Sequence, residues 1–195
     1  MLPIIPILTT ERLVIRPFAP DDLDDVHRIL DVENQPAPRP RAERAQFLEW
    51  TVRNYQELAR LYQPPYGDRA VVERTSGELI GAVGLVPAYG PFGLLPYFSG
   101  QIEPERRNLL WPEFGLFYAV STRHQRQGYA TEASRALIEY VFEALRPRRI
   151  VATTSRENIA SQRVMVRLGM RLERNPYPEP EWFQVVGVLE NPTIP

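Results

Sequence analysis

The chain has 195 residues, a hydrophobic share of 44% and a formal net charge of -1 at pH 7. This length suits one domain with a sizeable core. The near-neutral net charge does not indicate a basic surface for nucleic acid or an anionic membrane. The absence of cysteine excludes disulfides and a thiolate nucleophile, and two histidines are too few for the common histidine-rich metal sites.

The spacing of apolar residues predicts strands and helices in alternation. Residues 11–18 alternate polar and apolar side chains, which is the pattern of a half-buried strand. Asp21 and Asp22 then precede a helix over 23–30, where acidic residues suit the positive end of the helix dipole. The remaining predicted elements are a helix at 42–61, strands at 69–73, 79–86 and 113–120, a helix at 131–145, a strand at 149–153, a helix at 158–168 and a strand at 182–189. This order predicts a mixed α/β domain.

Residues 87–110 fit neither period, because they are rich in proline, glycine and aromatic side chains. They predict a long inserted loop within a single domain that spans residues 1–195. Loops of this length often form lids or contact surfaces. No apolar run reaches the length of a membrane span, and the first residues lack the basic flank of a signal peptide, so we expect a cytoplasmic protein.

The junction around Gly128 carries the clearest functional signal. The predicted strand ends at Val120, a short turn contains Gly128, and the most regular apolar helix follows directly. The first N–H groups of a helix have no internal partner and carry partial positive charge, so this junction predicts a phosphate or pyrophosphate site, with Arg123 or Arg126 adding charge. The alternative is a glycine that only makes a tight turn. Neither a lysine-containing phosphate loop nor Gly-x-Gly-x-x-Gly is present.

The sequence Gln125-Arg126-Gln127-Gly128-Tyr129-Ala130 resembles the Gln/Arg-x-x-Gly-x-Gly/Ala signature of the GCN5-related N-acetyltransferase (GNAT) superfamily. Its continuation to Ala133 is similar to the branch of ribosomal-protein N-terminal acetyltransferases (RimJ/RimL-like). Two further segments resemble that branch in the same order, the first strand at 8–17 and the Asn-x-x-Ser-x-x-Val…Leu-Gly pattern at 158–169. Together they cover nearly the whole chain.

The resemblance implies an α+β fold: one GNAT-like domain whose mixed, mostly antiparallel sheet is splayed in the middle and flanked by helices. It implies acetyl-coenzyme A as co-substrate, an amine acceptor, no metal, and no nucleic-acid or membrane partner. By this resemblance pantetheine binds backbone at Ala119 and Val120, and Asn158 and Ser161 face the pantetheine arm and the sulfur. The pyrophosphate is expected on the amides of Arg126, Gln127, Gly128, Tyr129, Ala130 and Thr131.

Acetyl transfer to an amine needs a neutral amine, and a general base supplies it. Glu113 is the candidate base, because the family often carries Glu-x-Gly on this strand. An ungapped count from Gly128 instead puts Gly115 at the usual position, and the alternative for Glu113 is a solvated strand-end residue. Met165 stands where relatives carry a tyrosine acid, so either Ser161 donates the proton or the thiolate leaves without an acid.

Two functions follow from these observations. The first is an N-acetyltransferase that acts on a protein N-terminus or a small molecule by direct attack with a general base. The second is a catalytically weak acyl-coenzyme A-binding or regulatory module of the same fold. Residues 87–110 and 175–182 are expected to border the acceptor or to form the contact of a homodimer.

Overall fold

A computed structural model describes residues 4–35 and 37–193 of the chain. Its strands are β1 (Leu8–Thr9), β2 (Leu13–Pro17), β3 (Gly67–Glu73), β4 (Leu79–Gly90), β5 (Trp111–Val120), β6 (Arg149–Thr154), β7 (Arg171–Arg174) and β8 (Val185–Glu190). Its α-helices are α1 (Leu23–His27), α2 (Arg41–Arg60), α3 (Pro96–Ser99), α4 (Tyr129–Ala144) and α5 (Ile159–Arg167). The chain forms two units, the first from 1–86 with 117–145 and the second from 87–116 with 146–195.

The first unit carries strands in the order β1-β2-β3-β4-β5, and β1–β2, β2–β3 and β3–β4 are antiparallel. Helices α1 and α2 cover one face, where Val26, Ile29 and Leu48 pack against Ala70 of β3 and Ala82 of β4. Helix α4 contacts β1 and β2. Because successive strand residues point to opposite faces, each strand supplies apolar side chains at alternate positions to this core.

The second unit carries the order β5-β6-β8-β7. Strand β6 pairs with β8 along six residues, from Arg149↔Glu190 to Thr154↔Val185, but parallel with β5 only at Phe114↔Ile150 and Gly115↔Val151. In a splayed sheet two neighbouring parallel strands pair over only a few residues, as β5 and β6 do. Strands β7 and β8 are antiparallel. The mixed, mostly antiparallel sheet with helices that the sequence predicted is confirmed.

Residues 87–110 are more regular than their composition indicates. Strand β4 continues through Gly90, and the short helix α3 follows. Phe92, Leu95 and Phe98 of this segment are buried in one cluster with Phe183 and Val186. The aromatic side chains of the predicted loop therefore form much of the core of the second unit.

The buried faces of two helices differ in part from the predicted ones. The spacing of apolar residues over 131–145 predicts a stripe that includes Ala133, Leu137, Val141 and Ala144. The first three are buried, but Ala144 is exposed, and the further buried residues of α4 include Ser134, Ile138 and Phe142. In α5 the spacing predicts one face with Ala160, Val164 and Leu168. Leu168 is buried directly after the helix, but Ala160 is exposed and the buried residues of the helix are Gln162 and Met165. Each helix also buries a polar side chain, Ser134 in α4 and Gln162 in α5, which the spacing of apolar residues does not identify. Strands β1 and β7, with two and four residues, were not predicted.

Asp68, near the start of β3, is a largely buried carboxylate. The Tyr55 hydroxyl donates to its backbone oxygen, and among the described residues no hydrogen bond to its carboxylate is found. Burial raises the pKa of Asp68 to about 6, and Arg44 only partly opposes this shift. Burial also raises the pKa of Tyr55 to about 12, so that phenol stays neutral at physiological pH.

We expect Asp68→Asn to stabilise the protein at pH 7.5 but hardly at pH 4.5. Because the folded-state pKa lies above the usual value of 3.8, the folded state binds the proton more tightly. Stability is therefore lost as pH rises from about 4 to about 6, by about 1–3 kcal/mol. Melting temperatures at the two pH values measure the difference. Asp21→Asn, at an exposed carboxylate, is the control, and an equal gain at both pH values would contradict the assignment.

Candidate functional site

The turn before α4 has an unusual backbone. A 3₁₀ turn at Thr122–His124 leads into Arg126, which has a positive φ of 63°, and Gly128 follows with a φ of 88° as the N-cap of α4. A Cβ at Gly128 would meet only Arg12 Nη2, at 3.4 Å. The space outside Gly128 is therefore open, and its left-handed conformation favours glycine.

The backbone N–H groups of this turn have no acceptor among the residues that the structure describes. Across residues 4–35 and 37–193, no hydrogen bond has a backbone N–H of residues 125–131 as its donor, and the first bond of the helix is Glu132 N–H to Gly128 O at 3.0 Å. These groups include the orphan donors of the first helical turn, which carry partial positive charge. The strand, turn and helix predicted at this junction are confirmed, and the turn has the donors that an anion requires.

Arg12 and Glu132 hold the turn in place. Arg12 Nη1 donates to Gln127 O at 3.0 Å, and Arg12 Nη2 lies 2.6 Å from Glu132 Oε2. Thr10 Oγ1 donates to Glu132 Oε1 at 2.5 Å. Burial disfavours the charged form of Glu132, but the hydrogen bonds from Thr10 and Arg12 prevail and lower the pKa of this carboxyl. The guanidinium of Arg12 also lies 4.4 Å from the centre of the Tyr129 ring.

We call these contacts of Thr10 and Arg12 with Gln127 and Glu132 the clamp. The sequence did not predict it, because Thr10 and Arg12 were interpreted only as parts of the first strand. The partners lie 115 or more residues apart in the chain. No local pattern connects them.

The two arginines predicted to add charge differ in their surroundings. Arg123 Nη2 lies 3.2 Å from Glu78 Oε1, so part of its charge is already compensated. Arg126 is exposed and has no ion-pair partner within the described part of the chain. Of the two, Arg126 is better able to meet an anion at the free amides.

Ala119 and Val120 lie at the end of β5, and each already has a close neighbour. The carbonyl oxygen of Val120 accepts from Asn34 Nδ2 and from Gln125 Nε2, both at 3.3 Å. A Cβ built on Gly81 would lie 2.5 Å from the carbonyl oxygen of Ala119. A ligand that used the Val120 oxygen would therefore displace or share two side-chain amides.

Asn158 and Ser161 lie in the second unit, at the start of α5. The Asn158 side chain caps the helix by accepting from Ser161 N–H at 3.0 Å. Met165 is fully buried, and a Cβ on Gly187 would come within 3.1 Å of its sulfur. The position where relatives carry a tyrosine is thus filled by a packing residue.

Glu113 forms an ion pair with Arg149. Arg149 Nε lies 3.0 Å from both Glu113 oxygens, and Arg149 Nη2 also donates to Oε1. Their side chains are 11% and 13% exposed, so the alternative of a solvated glutamate is wrong. A cavity of about 340 Å³ lies beside this pair, with Phe98 and Trp111 among its lining residues.

The site residues thus fall into two groups. The structure brings together Ala119, Val120 and residues 123–131 in the first unit, whereas Glu113, Asn158 and Ser161 belong to the second unit. In the described ranges there is no cluster of three or more metal-ligating side chains, and no helix is long and apolar enough to cross a membrane.

Comparison with known proteins agrees with this geometry. The family model described as the acetyltransferase (GNAT) domain matches residues 12–171. The chain is 45% identical over 170 residues to the uncharacterized N-acetyltransferase YnaD of Bacillus subtilis, covering 85% of this chain and 83% of YnaD. An acetyltransferase of Agrobacterium tumefaciens superposes with a TM-score of 0.65 at 26% identity, with 95% of each chain covered.

A further solved structure shares the fold. RimL, a ribosomal L7/L12 alpha-N-protein acetyltransferase in complex with coenzyme A, superposes with a TM-score of 0.60 at 16% identity and 97% coverage of both chains. The family match extends over most of the sequence, from the clamp residue Arg12 through the Gly128 turn to the end of α5. The chain belongs to the GNAT family of acetyltransferases.

Proposed function

We propose that this protein transfers an acetyl group from acetyl-coenzyme A to a primary amine of a protein N-terminus or a small molecule, and that both units act as one acetyltransferase domain. The observation that carries the proposal is the run of backbone N–H groups at 125–131, for which the described part of the chain offers no acceptor. Pyrophosphate oxygens would accept from the amides of residues 126–131. The coenzyme A complex of RimL, a protein of the same fold, supports this choice of ligand.

The chemistry requires a neutral amine and a way to release the thiolate. We assign the base to Glu113 and a proton donor to Ser161, as the family resemblance implies. Because Arg149 holds both oxygens of Glu113, the carboxylate would have to loosen this pair to accept a proton. The buried Met165 cannot replace the missing tyrosine, since a thioether has no proton to give.

The same two observations favour the second candidate function. A glutamate engaged by arginine and a methionine in the core would leave an acyl-coenzyme A-binding module with weak catalysis. Binding of acetyl-coenzyme A without turnover of any primary amine would support the module, whereas release of free thiol with an amine supports the transferase.

Replacing Gly128 by valine should weaken acetyl-coenzyme A binding by at least about tenfold, which corresponds to about 1.4 kcal/mol. A β-branched residue does not adopt a φ of 88° without strain, and its side chain would stand beside the free amides. Titration calorimetry measures the affinity. Gly77→Val is the matched control, because Gly77 has a φ of 74° and nothing within 4 Å of its Cβ position. Equal affinity in both variants would place the diphosphate elsewhere.

The difference between Arg126 and Arg123 gives a second expectation. Arg126→Gln should reduce acetyl-coenzyme A affinity about three- to tenfold, and Arg123→Gln by less, because Arg123 already pairs with Glu78. The effect of Arg126→Gln should shrink in high salt, since exposed charges are screened. Calorimetry at low and high ionic strength measures both. A larger loss for Arg123→Gln would contradict the assignment of the free cation to Arg126.

A test of Glu113 must separate base catalysis from the ion pair. Glu113→Gln leaves Arg149 largely buried without its partner, which costs several kcal/mol of stability. The double variant Glu113→Gln with Arg149→Gln removes both charges and should recover much of that stability. If Glu113 is the base, the double variant still turns over slowly, most of all at low pH where the amine is protonated.

Recovery of wild-type turnover in the double variant would remove Glu113 from the mechanism and leave it as a structural residue. Melting temperature and the pH profile of thiol release, measured on the same preparations, distinguish the two outcomes.

A further inference from the structure

We propose that the carboxylate of Asp68 binds the ammonium group of the amine acceptor, on the face of the first unit that also carries Ala119. This inference rests on the proposed function. It assigns a substrate-binding residue in a part of the chain to which neither the motifs nor the family signature gave a role.

The position of Asp68 follows from strand alternation. Asp68 lies two residues before Ala70 on β3. On the neighbouring strand β4, Gly84 lies two residues after Ala82, and Gly84 is the residue that pairs with Asp68. Ala70 and Ala82 belong to the cluster against which Phe117 and Ala119 of β5 pack. Because residues i and i+2 of a strand share a face, Asp68 lies on the same face as Ala119, the predicted pantetheine contact.

Gly84 has no side chain that could fill the space next to the Asp68 carboxylate. A Cβ at Gly84 would lie 2.7 Å from the Cα and 2.8 Å from Oδ1 of Asp68, so no larger residue fits there. Farther along β4, Ser121 N–H donates to Ile80 O at 2.8 Å, and Gly81 contacts Ala119 and Val120. Counting back along β5 from these contacts brings Gly84 close to Phe117. The Asp68 carboxylate thus lies next to a glycine of β4, where no side chain covers it.

The charges around Asp68 leave this carboxylate without a counterion. Arg16 binds Asp22 through two contacts of 2.7 and 2.8 Å. Arg44, the cation that acts on Asp68, is already bound to Asp31 by contacts of 2.6 and 2.7 Å. Within 4–35 and 37–193 no ion pair includes Asp68, and the nearby Tyr55 hydroxyl donates to its backbone oxygen rather than to its carboxylate.

Burial of a carboxylate without a counterion destabilises the fold, because no interaction offsets the desolvation of the charge. Asp68 keeps part of its surface open to solvent, so a ligand can reach it. A protonated primary amine supplies a positive charge and three N–H donors, the complement of a carboxylate that only accepts hydrogen bonds. The ammonium is either that of the reacting amine before it loses its proton or a second one on a diamine acceptor.

The test compares the wild type with Asp68→Asn, which keeps the side-chain shape and is expected to fold at least as well. Acceptors are n-butylamine, 1,4-diaminobutane and a short peptide with a free N-terminus and no other amine. We expect the KM for the acceptor to rise at least about tenfold in Asp68→Asn. If Asp68 binds the ammonium that reacts, the KM for n-butylamine should rise as well. If it binds the second ammonium of a diamine, only the KM for 1,4-diaminobutane should rise.

Calorimetric titration of the same three amines, in the presence of coenzyme A, measures binding even where turnover is slow. Asp21→Asn removes an exposed carboxylate of the same unit and should leave every value within about twofold of wild type. Unchanged acceptor KM and binding in Asp68→Asn, or no binding of any of the three amines by the wild type, overturns the proposal. The thermal shift given by acetyl-coenzyme A tests the proposed function separately and should be the same in all three proteins.

Discussion

The candidate site depends on backbone N–H groups that donate to no acceptor within residues 4–35 and 37–193. At 125–131 the backbone N–H groups have no acceptor in the described chain, although the helix that follows is regular. Such donors are favourable only when water or an anion meets them, and the helix dipole makes an anion the better partner. Gly128 permits the close approach, and the positive φ of Arg126 bends the preceding backbone. In the proposed function, cofactor binding therefore depends mainly on main-chain groups.

A main-chain site must be kept from collapsing onto its own carbonyl groups, and the clamp of Arg12 on Gln127 and Glu132 provides this support. It uses three kinds of interaction at once: a bond to a backbone oxygen, an ion pair and a cation–π contact with Tyr129. The ion pair alone would contribute little, because the Arg12 side chain is 41% exposed. Its effect is to fix the geometry of the turn in a chain whose N-terminal strand and fourth helix are far apart in sequence.

The sequence allowed the Gly128 turn to be found because every component of that signal is local: a strand, a glycine and an amphipathic helix in succession. The clamp was not predictable, since it joins residues more than 100 positions apart. Phe92 and Phe98 were assigned to a surface loop because helices of three or four residues are too short to show a period. The burial of Ser134 in α4 was not predicted, because a pattern of apolar residues cannot identify a polar side chain in the core. The ion pair of Glu113 was equally invisible, because Arg149 lies on another strand.

Glu113 and Asp68 lie in separate units and are both largely buried, but they differ in whether a cation compensates their charge. Glu113 is about nine-tenths buried, and Arg149 satisfies it with a bidentate contact, so its charge is already compensated. Asp68 is also largely buried, but Arg44, the cation that acts on it, is bound to Asp31, and burial raises the pKa of Asp68 to about 6. Sequence reasoning assigned the chemistry to the first, because a family pattern marks it. Asp68 gains more from a cationic ligand than Glu113 does, because no ion pair in the described part of the chain compensates its charge.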